Sequence, residues 1–152
     1  MRLFYRTIYI IFVTKEWRDE VLKRIKYELN KYEKDYKEFH SSNNKTIIIK
    51  SMFGEIYLTH YTSFEDWLGQ RIDECYLQPC IFRKSYRFKA RDLIERILPC
   101  VVNNDFFFVI SDIDKSKECA GVRSLTISLE KYIRSCAEEE PHLKEDYPYL
   151  FL

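Results

Sequence analysis

Glycine is scarce. Only Gly54, Gly69 and Gly121 occur in 152 residues, where average usage of about 7% would give roughly eleven. Phosphate-cradling loops of the GxGxxG or GxxxxGKS/T type need several glycines close together so that the backbone can approach the ligand. Both are excluded. The five cysteines (75, 80, 100, 119 and 136) are odd in number and form no CxxC pair. That argues against a secreted disulfide framework and for reduced, mostly buried thiols in a cytoplasmic protein. A zinc site would need Cys75 and Cys80 with Cys100 and His60, at a spacing foreign to the usual knuckle. Long apolar runs are missing too. No stretch approaches the ~18–20 residues of a membrane span, and Ile8–Val13 is too short for a signal-peptide core. Charge of one sign is also lacking. Lys+Arg (25) and Asp+Glu (24) nearly cancel, so no global field favours nucleic acid or membrane.

The chain does have the balance of a globular domain, with 46% hydrophobic and 32% charged residues. At this length folding buries about 68–70% of the unfolded surface, so a core needs no staple. Without a linker or repeat, residues 1–152 read as a single domain. Arg2–Val13 reads as a strand buried on both faces in its second half. Thr14 then suits an N-cap, its hydroxyl accepting an orphan backbone N–H. Leu22, Ile25, Leu29, Tyr32, Tyr36 and Phe39 alternate steps of three and four, predicting one helix over 14–39, about 38 Å long.

Ser41–Asn44 is a turn cluster, and Thr46–Lys50 with Glu55–Tyr61 predicts a hairpin. Ser63 and Asp66 resemble a capping box opening a helix through Phe64, Trp67, Leu68, Ile72 and Cys75. Further helices are predicted over 86–98, ended by Pro99, and over 124–137. Phe106–Ile110 reads as a second fully apolar strand. The apolar tail, 141–152, is expected to dock on the body. The fold class is α/β or α+β: a mixed sheet of about four strands covered by about four helices, in the order β-α-β-β-α-α-β-α. The two doubly buried strands should be central, with the hairpin towards an edge.

Three constellations could carry chemistry. Arg83, Lys84, Arg87, Lys89 and Arg91 put five cations into nine residues, interleaved with Tyr86 and Phe88. Such a strip suits phosphate contact with base stacking, an anionic protein, or pairing with the acidic segment Glu138–Glu140, Glu145 and Asp146. On a helix Arg87 and Arg91 share a face while Phe88 points into the core. Second, Asp112 and Asp114 follow a strand, where an acid pair can hold hydrated Mg²⁺. The string Asp112–Ser116 is similar to the DxDxT/S element of haloacid-dehalogenase-type phosphatases. That family needs a large doubly wound sheet after the motif, and only 117–152 follow, so the family is excluded. Third, Thr59-His60-Tyr61-Thr62 is similar to the HxT element of 2H phosphodiesterases, where paired histidines exchange a proton. A second such element is missing: His40 sits in a turn and His142 has no hydroxyl after it. Neither a GxSxG elbow nor a (D/E)xK spacing on the hairpin strands is present.

The leading expectation is a small intracellular, non-enzymatic interaction protein of inhibitor, immunity or accessory type. Aromatic residues reach 16%, with twelve tyrosines, and Tyr and Arg are enriched at binding hot spots. Tyr32, Tyr36 and Phe39 would anchor a protein partner or a second copy on helix 14–39, and the 83–91 strip would steer it. The alternative is a Mg²⁺-dependent nuclease or phosphodiesterase using Asp112, Asp114 and His60, with Arg83, Lys84 and Arg87 on phosphates. A second alternative is nucleic-acid binding through the strip alone. Abundant Ile, Lys, Tyr and Asn would suit an AT-rich genome or mobile element.

Overall fold

A computed structural model describes residues 6–32, 35–41, 43–52, 54–63, 71–101, 107–110 and 126–151. Its frame is one mixed sheet of seven strands with four α-helices. In chain order these are β1 (Arg6–Phe12), α1 (Lys15–Tyr32), β2 (Tyr36–His40), β3 (Thr46–Ser51) and β4 (Gly54–His60). Next come β5 (Glu74–Leu77), α2 (Arg87–Ile97), β6 (Phe107–Ile110), β7 (Thr126–Ser128), α3 (Leu129–Cys136) and α4 (His142–Asp146). The spatial order is β2-β3-β4-β1-β5-β6-β7. The inner four, β4, β1, β5 and β6, run parallel, and both flanks are antiparallel.

The apolar run of β1 does take the centre, because successive side chains serve opposite faces. Ile10 and Phe12 pack with Ile47, Ile49, Leu58 and Tyr76 under Val21 and Ile25 of α1. Tyr9 and Ile11 pack with Cys75, Leu77, Phe107 and Val109 under α2 and α3. In α2 the buried positions are Ala90, Leu93, Ile94 and Ile97, one stripe at helical spacing. Each large side chain fully buried there contributes about 1.5–3 kcal/mol relative to exposure.

Three expectations fail, each for a reason visible in the sheet. The helix over 14–39 ends at Tyr32, and Tyr36–His40 is instead an edge strand. Its residues alternate: Tyr36 packs on the α1-side core, Glu38 meets Lys26 of α1 at 3.0 Å, and Phe39 faces the other way at 47% exposure. Pairing with β3 in the register Phe39↔Ile48 replaces helical bonds with ladder bonds, so the even helical spacing across 32–39 is a coincidence of composition. The helix expected through Ile72 and Cys75 is overturned at its end, since Ile72 bridges Val101 and Cys75 lies in β5; its 64–70 part lies outside the described residues. In the 124–137 segment, Thr126–Ser128 pairs with β6 before the helix starts, and the Ser128 hydroxyl accepts from the Lys131 amide at 3.3 Å as its N-cap. Among the described residues there are thus seven strands where about four were expected. The segment after α3 packs down, with His142, Leu143 and Tyr147 buried.

Gly54 is required where it stands. β4 starts against the Arg6 backbone, and a Cβ at Gly54 would collide with the Arg6 carbonyl oxygen. Among the described residues no helix is long and apolar enough to cross a membrane.

Candidate functional site

From β1 the chain passes through α1 to build the β2-β3-β4 flank, and then crosses to β5 on the other side of β1 with α2 on the opposite face. The β1–β5 boundary is therefore a topological switch point, where open sheets leave a crevice outside the carboxyl ends of their strands. Gln78 ties this crevice together. Its Oε1 accepts from the Val13 and Thr14 amides at 2.6 and 3.0 Å, and its Nε2 donates to the Thr14 hydroxyl at 3.0 Å. The Thr14 hydroxyl thus accepts from Gln78 at the start of α1.

On the β4 side of the crevice, rings and cations gather. His60 stacks edge-on to Phe12 at 5.3 Å and lies 4.6 Å from Tyr61. Tyr61 meets the edge of Tyr86 at 5.7 Å, and Lys89 Nζ stands 5.5 Å from the Tyr61 ring centre. Arg18 lies 5.6 Å over Phe12 and donates to the Asn44 carbonyl at 3.2 Å. The His60 amide bonds the Lys45 carbonyl at 2.7 Å, bringing Lys45 to the same corner. Partial burial and the positive fields of Lys45 and Lys89 hold His60 below the usual imidazole range, against a backbone hydrogen bond at Val13.

The Thr62 amide points at His60 Nδ1 from 3.3 Å, and the Thr62 hydroxyl lies 2.6 Å from it. An amide can only donate, so Nδ1 is the acceptor and the neutral ring carries its proton on Nε2. His60 is therefore held as a neutral ring in a cationic corner, with its acceptor nitrogen already engaged.

The basic strip does not behave as a unit. Arg87 is clamped: its Nε donates to Asp146 Oδ1 and Oδ2 at 3.1 and 3.0 Å, and its Nη2 reaches Glu145 at 2.9 Å. Arg91 pairs with Glu95 at 3.5 Å and lies 4.0 Å from Asp146. Lys84 and Lys89 are exposed and have no acidic partner among the described residues. Phe88, expected in the core, is 78% exposed, beside the Arg87 guanidinium at 5.8 Å. The stripe Ala90-Leu93-Ile94-Ile97 fills the buried face and turns position 88 outward.

Arg83 belongs to the other side of the crevice. There a cavity of about 380 Å³ is walled by Trp17, Gln78, Cys80 and Arg83 on one hand and by Tyr132, Glu139 and Glu140 on the other.

The remaining sequence candidates are not brought together. Tyr32 closes α1, and Tyr36 and Phe39 sit on opposite faces of β2, so the three form no common stripe. The dimer surface expected on helix 14–39 loses its basis with that helix. Asp112 and Asp114 lie outside the described residues. Cys75 is fully buried, and burial pushes its thiol well up. Among the described residues no group of three His, Cys, Asp or Glu side chains is placed to hold a metal.

Sequence reasoning missed Lys45, Tyr61 and the cavity walls, which become neighbours only through pairings such as Thr46↔Thr59. No family model matches this chain, and the curated proteins and solved structures give no match either.

Proposed function

We propose that this protein is a non-enzymatic interaction module, of inhibitor, immunity or accessory type, that engages an acidic protein surface. Its working patch is the corner formed by Lys45, Tyr61, Lys84, Phe88 and Lys89. The observation that carries this reading is Phe88: a phenylalanine 78% exposed on the first turn of α2, flanked by lysines with no acidic partner among the described residues. An exposed aromatic anchor with Lys89 next to it in the chain and Lys84 one turn before matches the composition of binding hot spots, where the ring supplies buried area and the charges supply steering. Nothing in the corner requires a reaction. His60 helps to shape it as a neutral ring.

A second reading has its own support. Tyr61, Tyr86 and Phe88 interleaved with Lys45, Lys84 and Lys89 also suit single-stranded nucleic acid, whose bases stack on rings while phosphates meet cations. One experiment separates the two. The protein is used to capture partners from a lysate with and without nuclease, alongside the double variant Phe88→Ala, Lys89→Glu. The proposal expects a protein partner that survives nuclease treatment and is lost from the variant. Capture that vanishes with nuclease and falls steeply with salt would transfer the function to nucleic acid. Equal capture by the variant would remove the corner from the account.

A further inference from the structure

The cavity beside Gln78 is independent of that patch, and it has the attributes of a small-ligand site. It opens at the carboxyl ends of β1 and β5, at the switch point of the sheet, where open α/β sheets bind ligands. Its volume of about 380 Å³ sits within the range of small-ligand pockets, ~300–1,000 Å³.

Three features of its wall define a ligand. Arg83, from the turn after β5, and Glu139 and Glu140, from the turn after α3, all line the cavity, and no ion pair joins the arginine to either acid. Glu140 pairs with His142 Nδ1 at 3.4 Å. Unpaired with each other, Arg83 and the two acids offer a cationic and an anionic group to whatever enters. The acidic pole is reinforced by the carboxyl end of α3, whose terminal carbonyls carry partial negative charge.

The second feature is Trp17. It lines the cavity and lends its ring to the wall. The third is the wall between the poles, where Phe82 and Tyr132 pack with ring centres 5.6 Å apart and leave an apolar surface.

We infer that this cavity binds a free α-amino acid with an apolar side chain. Its ammonium would meet Glu139 and Glu140, its carboxylate would meet Arg83, and its side chain would lie on Trp17, Phe82 and Tyr132. Two poles of opposite sign select a zwitterion over either half, because each single-charge analogue leaves one pole unmet.

Calorimetric titration of the intact protein tests this with four probes: L-leucine, L-phenylalanine, 4-methylpentanoate (leucine without its amine) and 3-methylbutylamine (leucine without its carboxylate). The expected result is binding of at least one amino acid, with the two leucine fragments weaker than leucine by about tenfold or more. Glu139→Gln and Arg83→Gln, both at exposed positions that leave the core intact, should each weaken the amino acid by a similar factor. Lys89→Glu, in the separate corner, should leave it unchanged. No heat with either amino acid, or fragments that bind as well as leucine, would overturn the inference. So would binding that Glu139→Gln and Arg83→Gln leave unaltered. Loss of partner capture in Lys89→Glu together with intact amino-acid binding would show that the two sites stand separately.

Discussion

The two ends of the 83–91 strip make the most instructive contrast in the molecule. Read along the chain they are one run of cations; in three dimensions they do opposite work. Arg87 and Arg91 are consumed by Asp146, Glu145 and Glu95, and they fasten α2 to the carboxyl-terminal segment. Lys84 and Lys89, on either side of the exposed Phe88, keep their charge facing outward. Local density of charge therefore says little about available charge. What decides is which cations find a carboxylate far away in sequence, and Asp146 lies 59 residues from Arg87.

The sharpest way to break the contrast is at the clamp. Asp146 has a side chain only 3% exposed and accepts three hydrogen bonds from Arg87. Asp146→Ala should lower the melting temperature by about 5 °C or more, because it strands a guanidinium against a buried site. The same variant should still bind its partner at temperatures where it is folded, and calorimetric melting with a binding assay reads both. Next comes the mirror experiment. Phe88→Ala with Lys89→Glu should weaken partner binding by about tenfold or more while circular-dichroism melting stays within about 2 °C of wild type, as expected of exposed positions.

A finer test uses His60. Its folded-state pKa is depressed by burial and by Lys45 and Lys89, so the unfolded chain binds the proton more tightly. Stability should then be fully present above the ordinary imidazole pKa of about 6.5 and decline as pH falls through it towards the folded value. An NMR titration should place His60 below the ordinary value, and Lys89→Met should move it back up. The smallest effect is expected on the far flank. Phe39→Ser, on edge strand β2, should change stability by less than about 0.5 kcal/mol and leave partner affinity where it was.

Local sequence patterns revealed those parts of the fold whose burial is decided locally. The apolar run Ile8–Val13 reads as a doubly buried strand and supplies most of the central β1; Thr46–Lys50 with Glu55–Tyr61 reads as a hairpin and is β3–β4; 86–98, ended by Pro99, reads as a helix and contains α2. Strands β2, β5 and β7 were hidden because each is short and takes its conformation from a neighbour. Tyr36 and Phe39 continue a helical spacing by chance, and Glu74–Leu77 is a strand because β1 and β6 flank it.

The candidate sites were less legible still. The cations at 84 and 89 were visible as charge, but their freedom depends on Asp146 selecting Arg87. Phe88 is expected inside because it lies off the Arg87–Arg91 face, but Ala90, Leu93, Ile94 and Ile97 set the buried stripe and leave it outside. The cavity joins residues 17, 83, 132 and 139, which no local spacing connects.

The most direct measurement is hydrogen–deuterium exchange of the protein with and without its captured partner. Protection concentrated in 84–89 and around 60–62, with 15–40 unchanged, is the predicted footprint. Protection over α1 and β2, with the start of α2 exchanging as in the free protein, would contradict it.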